Sequence, residues 1–276
     1  MKNCIFITFD DRYVVYAKAC IASLRENYPN HPPVLIKYNG NIKQVIDYFS
    51  SIPNVSLLDF KVDDQYLKSL NPGVIGSYMI YVRLILWTEL FNEYDNLIYL
   101  DCDTIITKPF DEIVDSIDFF VVADNDTQGV FKDEFKHDRE LSELLAEDQI
   151  NFDLINTSMI NSGMFVLPRK YRTIEHVEQL RTISDRYDKY IMHSDQSVLS
   201  IWVYLNRIPI SKDFKYNFQT QFVFMPFFHV FDLESIKIMH FSAWKPDKNY
   251  SQLLKPAGYV VTAFERYERY RRLSEV

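Results

Sequence analysis

Two aspartates separated by one residue, Asp101 and Asp103, stand between the apolar run Asn96-Leu97-Ile98-Tyr99-Leu100 and the apolar pair Ile105-Ile106. Carboxylates in such surroundings are costly unless something pairs with them. At alternate positions of an extended segment, two side chains point to the same side. Like charges held that close repel, so an apposed cation is the economical explanation. Hard oxygen ligands favour magnesium, manganese or calcium. Asp-x-Asp is also common in turns and solvated loops, so the rest of the chain has to decide between the two readings.

Further polar residues follow other apolar runs: Asp10-Asp11 with Arg12, Asp124, Asn161 with Gly163, Asp195-Gln196, and His240 with Lys245. His240 follows a strand-like segment five residues before a lysine, and would complete an Asp/Asp/His metal site. Lys245 would then hold an anion near the metal. Arg83 sits inside an apolar run without a local partner. It reads either as half of a structural ion pair or as a planar fork aimed at a phosphate or a site carboxylate. Metal, lysine and arginine around one sheet suggest a diphosphate leaving group rather than hydrolytic chemistry.

The elements that must position these groups alternate in type. Asn3–Thr8 reads as a buried strand, Tyr13–Tyr28 as a helix with Val14, Ala17, Ile21 and Leu24 on one face, and Val34–Tyr38 as a second strand. A helix over Ile42–Phe49 and a strand over Val55–Phe60 complete a β-α-β-α-β rhythm, which predicts a parallel, helix-covered sheet. Ligands of such sheets bind beyond the carboxyl ends of the strands, where both acidic turns fall. Further on, Ser77–Phe91 is apolar nearly all round and predicts a buried helix. A strand over Asp118–Ala123 follows, and Thr127–Gln149 reads as a charged surface excursion. Then come a strand over Met164–Leu167 after Ile160-Asn161-Ser162-Gly163, and helices over Tyr171–Tyr187 and Asp195–Leu205, the latter with Ser194 as cap. A last strand covers Ile236–Phe241. Phe264–Leu273 alternates Arg, Glu and Tyr at helical spacing, which predicts a solvated, ion-paired helix, with membrane-surface contact as the minority reading.

Composition narrows the function classes. The chain of 276 residues carries 30 Lys and Arg against 38 Asp and Glu, a net charge of −8, which argues against a nucleic-acid footprint. With 19 Tyr and 21 Phe but 6 Gly, it is rich in aromatic surface for strands and pockets. Cys4, Cys20 and Cys102 form no disulfide framework and lack zinc spacing, so a reducing, cytoplasmic location is expected. The turn Phe9-Asp10-Asp11-Arg12 has no Gly-x-Gly-x-x-Gly, which disfavours a nicotinamide-dependent enzyme.

The order of these motifs resembles glycosyltransferase family 8, retaining enzymes that include glycogenin and the bacterial lipooligosaccharide galactosyltransferases. The resemblance rests on Phe9-Asp10-Asp11-Arg12-Tyr13 with Tyr16, Tyr81-Val82-Arg83, Tyr99-Leu100-Asp101-Cys102-Asp103-Thr104, Asn161-Ser162-Gly163-Met164-Phe165, Asp195-Gln196, and His240-Phe241 with Lys245-Pro246. It implies an α/β GT-A fold: a single Rossmann-like, mostly parallel central sheet flanked by helices, over residues 1–250, with a helical tail over 251–276. It implies manganese, or magnesium, held by Asp101, Asp103 and His240, and a UDP-sugar donor. Thr8, Asp10 and Tyr13 then match positions around the nucleoside, beside Cys102. Arg83 and Lys245 match positions serving the diphosphate. Asp124, Asn161 with Gly163, Asp195 and Gln196 match the sugar pocket, with Gln196 or Asp195 nearest the reacting carbon.

The reaction so implied moves a hexosyl residue (glucose, galactose or N-acetylglucosamine) to a hydroxyl acceptor such as a glycan. A glycogenin-like self-glucosylating initiator and a non-catalytic nucleotide-sugar binder are the alternatives, and a homodimer is allowed. The family tail departs here: Ala243 replaces a glycine, Lys245 comes one residue early, and Asp247 stands in place of tryptophan. Arg12 stands where a small polar residue is frequent.

Overall fold

A computed structural model describes residues 1–60, 69–70, 78–124, 135–136, 139–150, 159–220, 232–242, 245 and 258–274. They belong to two compact units that interleave along the sequence. The first unit comprises Met1–Lys2, Phe60–Leu97 and Ser116–Lys212, and the second Asn3–Asp59, Ile98–Asp115 and Asp213–Val276. The expected tail loop at Ala243-Trp244, Pro246 and Asp247, and the expected boundary at residue 250, lie outside the described residues.

The second unit begins with the predicted alternation. Strand β1 (Asn3–Phe9), helix α1 (Val14–Asn27), strand β2 (Val34–Tyr38), helix α2 (Lys43–Ser50) and strand β3 (Val55–Leu57) follow in turn. β1 and β2 pair in parallel from Ile5↔Val34 to Phe9↔Tyr38, and β2 pairs in parallel with β3. All but the first residue of β1 is buried, as its near-continuous apolar run requires of a strand covered on both faces. β4 (Asn96–Leu100) lies next to β1 in the order β3-β2-β1-β4, and every residue of it is buried. β4 delivers the chain to Asp101.

Beyond it, β5 (Thr104–Ile106) and a one-turn helix α3 (Asp111–Val114) complete the middle segment of this unit. β5 joins a small sheet of order β5-β9-β8, made with β8 (Phe218–Gln219) and β9 (Ile238–His240). β9 runs antiparallel to β5 with Thr104 opposite His240, and parallel to β8 with Gln219 opposite His240. The last strand is therefore central, which brings His240 to the level of the Asp101–Asp103 turn.

The first unit holds β6 (Phe120–Ala123), α4 (Arg139–Glu147), β7 (Ile160–Pro168), α5 (Ile174–Tyr187) and α6 (Asp195–Leu205). β6 and β7 are antiparallel, and their register shifts between Val121 and Val122, opposite Phe165 and Asn161. The aromatic excess packs here: Trp87 meets Trp202 at 5.3 Å and Phe165 at 5.5 Å, and Phe119 meets Trp202 at 5.2 Å. These contacts pack α6 against the aromatic core through Trp202.

Several expectations change. The run predicted as a helix from Ser77 is a 3-10 segment, Tyr78–Trp87, with a second one at Glu89–Phe91; Ser77 itself is outside the described residues. Its β-branched and aromatic residues crowd an α-helical turn. The charged excursion contains α4, which buries Leu141 and Leu145 one turn apart. Asn161-Ser162-Gly163 lies inside β7 rather than before it. Ser194 precedes α6 but its side chain makes no capping bond; its backbone is left-handed, φ 55°. The C-terminal helix α7 (Gly258–Leu273) is not merely solvated: Tyr267 and Tyr270 are buried. Tyr267 packs on Tyr16 at 5.8 Å and on Phe241 at 5.7 Å, and Tyr270 hydrogen-bonds Asn27 of α1.

Candidate functional site

In the second unit, one ligand atom each from Asp101, Asp103 and His240 lies within 4.8 Å of the others, the arrangement expected of a metal site. His240 Nε2 stands 3.5 Å from Asp101 Oδ2 and 3.4 Å from Asp103 Oδ1. The geometry has a local origin. β4 ends in a tight turn held by the Thr104 hydroxyl, which donates to the Asp101 carbonyl at 2.8 Å. The Phe241 amide donates to the Asp103 carbonyl at 3.0 Å and locks the turn to the end of β9. Tyr99 OH donates to Asp101 Oδ1 at 2.5 Å, leaving the second oxygen toward the imidazole.

Lys245 returns to this group, pairing with Asp103 Oδ2 and donating to the Phe241 carbonyl at 2.8 Å. Burial alone would push the Asp103 carboxyl up, but Lys245 and His240 hold it well below the usual carboxylate range. Burial works against the Lys245 charge in turn, and Asp103 outweighs it, so the ammonium is held above its ordinary value. Lys245 pairs with Asp103, one ammonium beside two carboxylates, which leaves negative charge for a further cation. Two carboxylates and one imidazole form a donor set suited to a divalent cation.

The other residues named from the sequence in this unit make the following contacts. Lys245 Nζ lies over the Tyr13 ring, 5.6 Å from its centroid. Tyr13 is half-buried, and burial raises its phenol. Asp10 caps the 3-10 turn Asp11–Tyr13 and is gripped by Arg12 at 2.7 Å. Arg12 thus shields Asp10 in this structure. The Thr8 hydroxyl donates to the Lys37 carbonyl at 3.2 Å and accepts from Asn39 at 3.0 Å. Cys102 is buried, and burial followed by the two flanking aspartates drives its thiol far from ionisation. It is a packing residue of the turn rather than a nucleophile.

The first unit gathers the remaining predicted residues. Gln196 Nε2 donates to Asp124 Oδ2 at 3.3 Å, and Gln196 Oε1 accepts from the Ser162 amide at 3.2 Å. Asn161 Nδ2 reaches Asp124 Oδ1 at 3.4 Å, and Asn161 Oδ1 accepts from the Gly163 amide at 3.0 Å. The β6–β7 register shift falls at Asn161 and Ser162, a use of bulges common beside sites. Arg83 is buried and pairs with Asp195 at 2.8 Å. Arg83 also donates to the Ser162 carbonyl at 2.8 Å. Asp195 is almost fully enclosed, whereas Gln196 is partly accessible.

The model of the family "Glycosyl transferase family 8" matches residues 4–248. The chain belongs to glycosyl transferase family 8. Among solved structures, the galactosyltransferase LgtC in complex with donor and acceptor sugar analogs shares 16% identity and a TM-score of 0.70, covering 97% of this chain and 95% of that one. GlyE of Streptococcus pneumoniae TIGR4 shares 18% identity at TM-score 0.65, covering 98% of this chain and 61% of that one. The bifunctional glycosyltransferase WbbM shares 20% identity at TM-score 0.64, covering 88% of this chain, which spans 46% of WbbM's length. At these identities the likeness is one of fold, and the fold is GT-A. Among curated proteins, no sequence matches the chain.

Family 8 membership supports glycosyl transfer and gives the Asp101/Asp103/His240 group its context. Two residues to which the sequence reading gave no role belong with the predicted ones. Ser162 connects Arg83 to Gln196 through its carbonyl and amide. Asn217, wholly buried, faces His240 Nδ1 at 3.0 Å. Its only signal in the sequence is a polar residue between two aromatics, Tyr216-Asn217-Phe218. Among the described residues, no helix is long and apolar enough to cross a membrane.

Proposed function

We propose that this protein is a metal-dependent retaining glycosyltransferase that moves a hexosyl residue from a UDP-sugar to a hydroxyl acceptor, a glycan in the favoured case. The observation that carries this is the convergence of Asp101, Asp103 and His240 within 4.8 Å at a strand end, in a chain of family 8. Manganese, or magnesium, would be held by these three side chains and would supply Lewis-acid stabilisation of the departing diphosphate.

The chain's own residues divide the remaining work. Lys245, already beside Asp103, supplies a positive charge for the diphosphate. Tyr13 offers a ring face and Thr8 a hydroxyl near the end of β1 for the nucleoside. Asp10 becomes available to it once Arg12 lets go. In the other unit, Asp124, Asn161 and Gln196 present the hydrogen-bonding edge suited to sugar hydroxyls. Asp195, neutralised by Arg83, acts by anchoring the first turn of α6. Gln196 is therefore the residue assigned to the reacting face of the sugar. The acceptor hydroxyl attacks from the face the diphosphate leaves, so configuration is retained.

The test is release of UDP from a panel of UDP-sugars with and without manganese. Asp103→Ala is expected to abolish the manganese-dependent part. Near-normal turnover in that variant refutes the site, and tight UDP-sugar binding without UDP release would instead favour a binding protein.

A further inference from the structure

We propose that Asn217 is a positioning residue that fixes the tautomer and ring orientation of His240, and so sets the affinity of the site for its divalent cation. The inference rests on the metal-site reading of Asp101, Asp103 and His240. Asn217 and His240 are both buried, and Asn217 Oδ1 lies 3.0 Å from His240 Nδ1. The side-chain oxygen of an amide only accepts. A neutral, metal-binding imidazole must then carry its one proton on Nδ1, which leaves the Nε2 lone pair toward Asp101 Oδ2 and Asp103 Oδ1, at 3.5 and 3.4 Å. Three electron-rich atoms facing one another repel until a cation sits among them. The tautomer with the proton on Nε2 would satisfy the carboxylates by itself and compete with a metal.

The backbone around Asn217 is built to hold this contact. Its amide donates to the Phe214 carbonyl at 3.1 Å, closing a 3-10 turn. β8 follows at once, with Gln219 opposite His240 in the parallel register. Asn217 stands immediately before that strand, at the end of the 3-10 turn. Gln219 Oε1 is occupied with the Ser242 hydroxyl at 3.2 Å. Asn217 meets the ring at Nδ1.

The experiment measures manganese affinity directly, by the electron paramagnetic resonance signal of free Mn²⁺, on the full chain without any sugar nucleotide. Outer-shell partners of a ligating histidine typically change metal affinity by about 10- to 100-fold. Asn217→Leu is expected to weaken manganese binding in that range, while Asn217→Asp, which keeps an acceptor, binds at least as tightly as the parent. A folded Asn217→Leu chain with unchanged affinity overturns the inference and leaves the metal site standing. A parent chain that binds no manganese overturns both. Should Asn217→Leu not fold, nitrogen NMR of His240 in the parent chain with Mg²⁺ decides. A protonated Nδ1 is expected, and an unprotonated Nδ1 overturns the assignment.

Discussion

Arg83 shows how a single residue's role depends on what is buried with it. Its guanidinium and the Asp195 carboxylate are 6% and 2% exposed, so neither charge can fall back on water. Removing one partner of such a pair typically costs about 3–5 kcal/mol. Arg83→Met is therefore expected to lower the free energy of unfolding by about that amount in urea titration; a loss below about 1 kcal/mol would show the pair to be dispensable. Lys245 is the contrasting case, since it neutralises a group that a metal also needs. Lys245→Met is expected to tighten manganese binding about tenfold in the absence of donor, because Asp103 loses its competing cation. The same variant is expected to slow sugar transfer by roughly 10²- to 10³-fold, the usual effect of deleting a charge-stabilising contact. Weaker manganese binding in Lys245→Met would contradict the competition. The Asp101/Asp103 pair and His240 were legible because each is a polar residue breaking an apolar run. The partners of Arg83 and His240 were not, because Asp195 and Asn217 are brought near by pairings that leave no local trace.

At the scale of elements, the opening β-α-β-α-β rhythm was readable because its periodicity is local, and β1 to β3 appear where the pattern places them. The 3-10 form of Tyr78–Trp87 was not, since an apolar run signals burial but not which helical hydrogen bond is made. The C-terminal helix was read as solvated because its Arg and Glu dominate the pattern. Two tyrosines nevertheless face α1 and Phe241. α3 illustrates a coupling that only the structure reveals. Glu112 accepts from Tyr216 OH at 2.8 Å and pairs with Lys237, tying α3 to the segments that lead into β8 and β9. Burial alone would raise the Glu112 carboxyl, but Lys237 and Tyr216 prevail and hold it below its ordinary value. A carboxyl with a depressed folded-state pKa stabilises the fold fully above its unfolded value, near 4.3, and loses that contribution as pH falls through the folded value. Glu112 is 44% exposed, so the effect is at most about 1 kcal/mol. Glu112→Gln is expected to be less stable than the parent at pH 7 and to converge with it in acid. A gap that stays constant from pH 7 downward would assign the loss to packing instead.

For the molecule as a whole, charge and cation binding are linked. The chain carries a net charge of −8, and its Asp101/Asp103 pair adds a local concentration of negative charge that Lys245 only half offsets. A cation that binds the folded site and not the unfolded chain stabilises by mass action, by about 2.7 kcal/mol at a hundredfold excess over its dissociation constant. In a chain of this size 1 kcal/mol moves the melting temperature by roughly 2–4 °C, so saturating manganese is expected to raise it by about 5–10 °C. EDTA should reverse the rise, and Asp103→Ala should show none. Sodium chloride at matched ionic strength separates specific binding from general screening of an acidic surface, because screening acts on all the charges and is indifferent to Asp103. The form of the rise also carries information. Asp101, Asp103, His240, Lys245 and Asn217 all belong to one of the two compact units. If the units unfold together, the whole transition shifts with manganese; if they unfold separately, only the step belonging to that unit moves. An equal shift in Asp103→Ala and the parent would place the cation elsewhere.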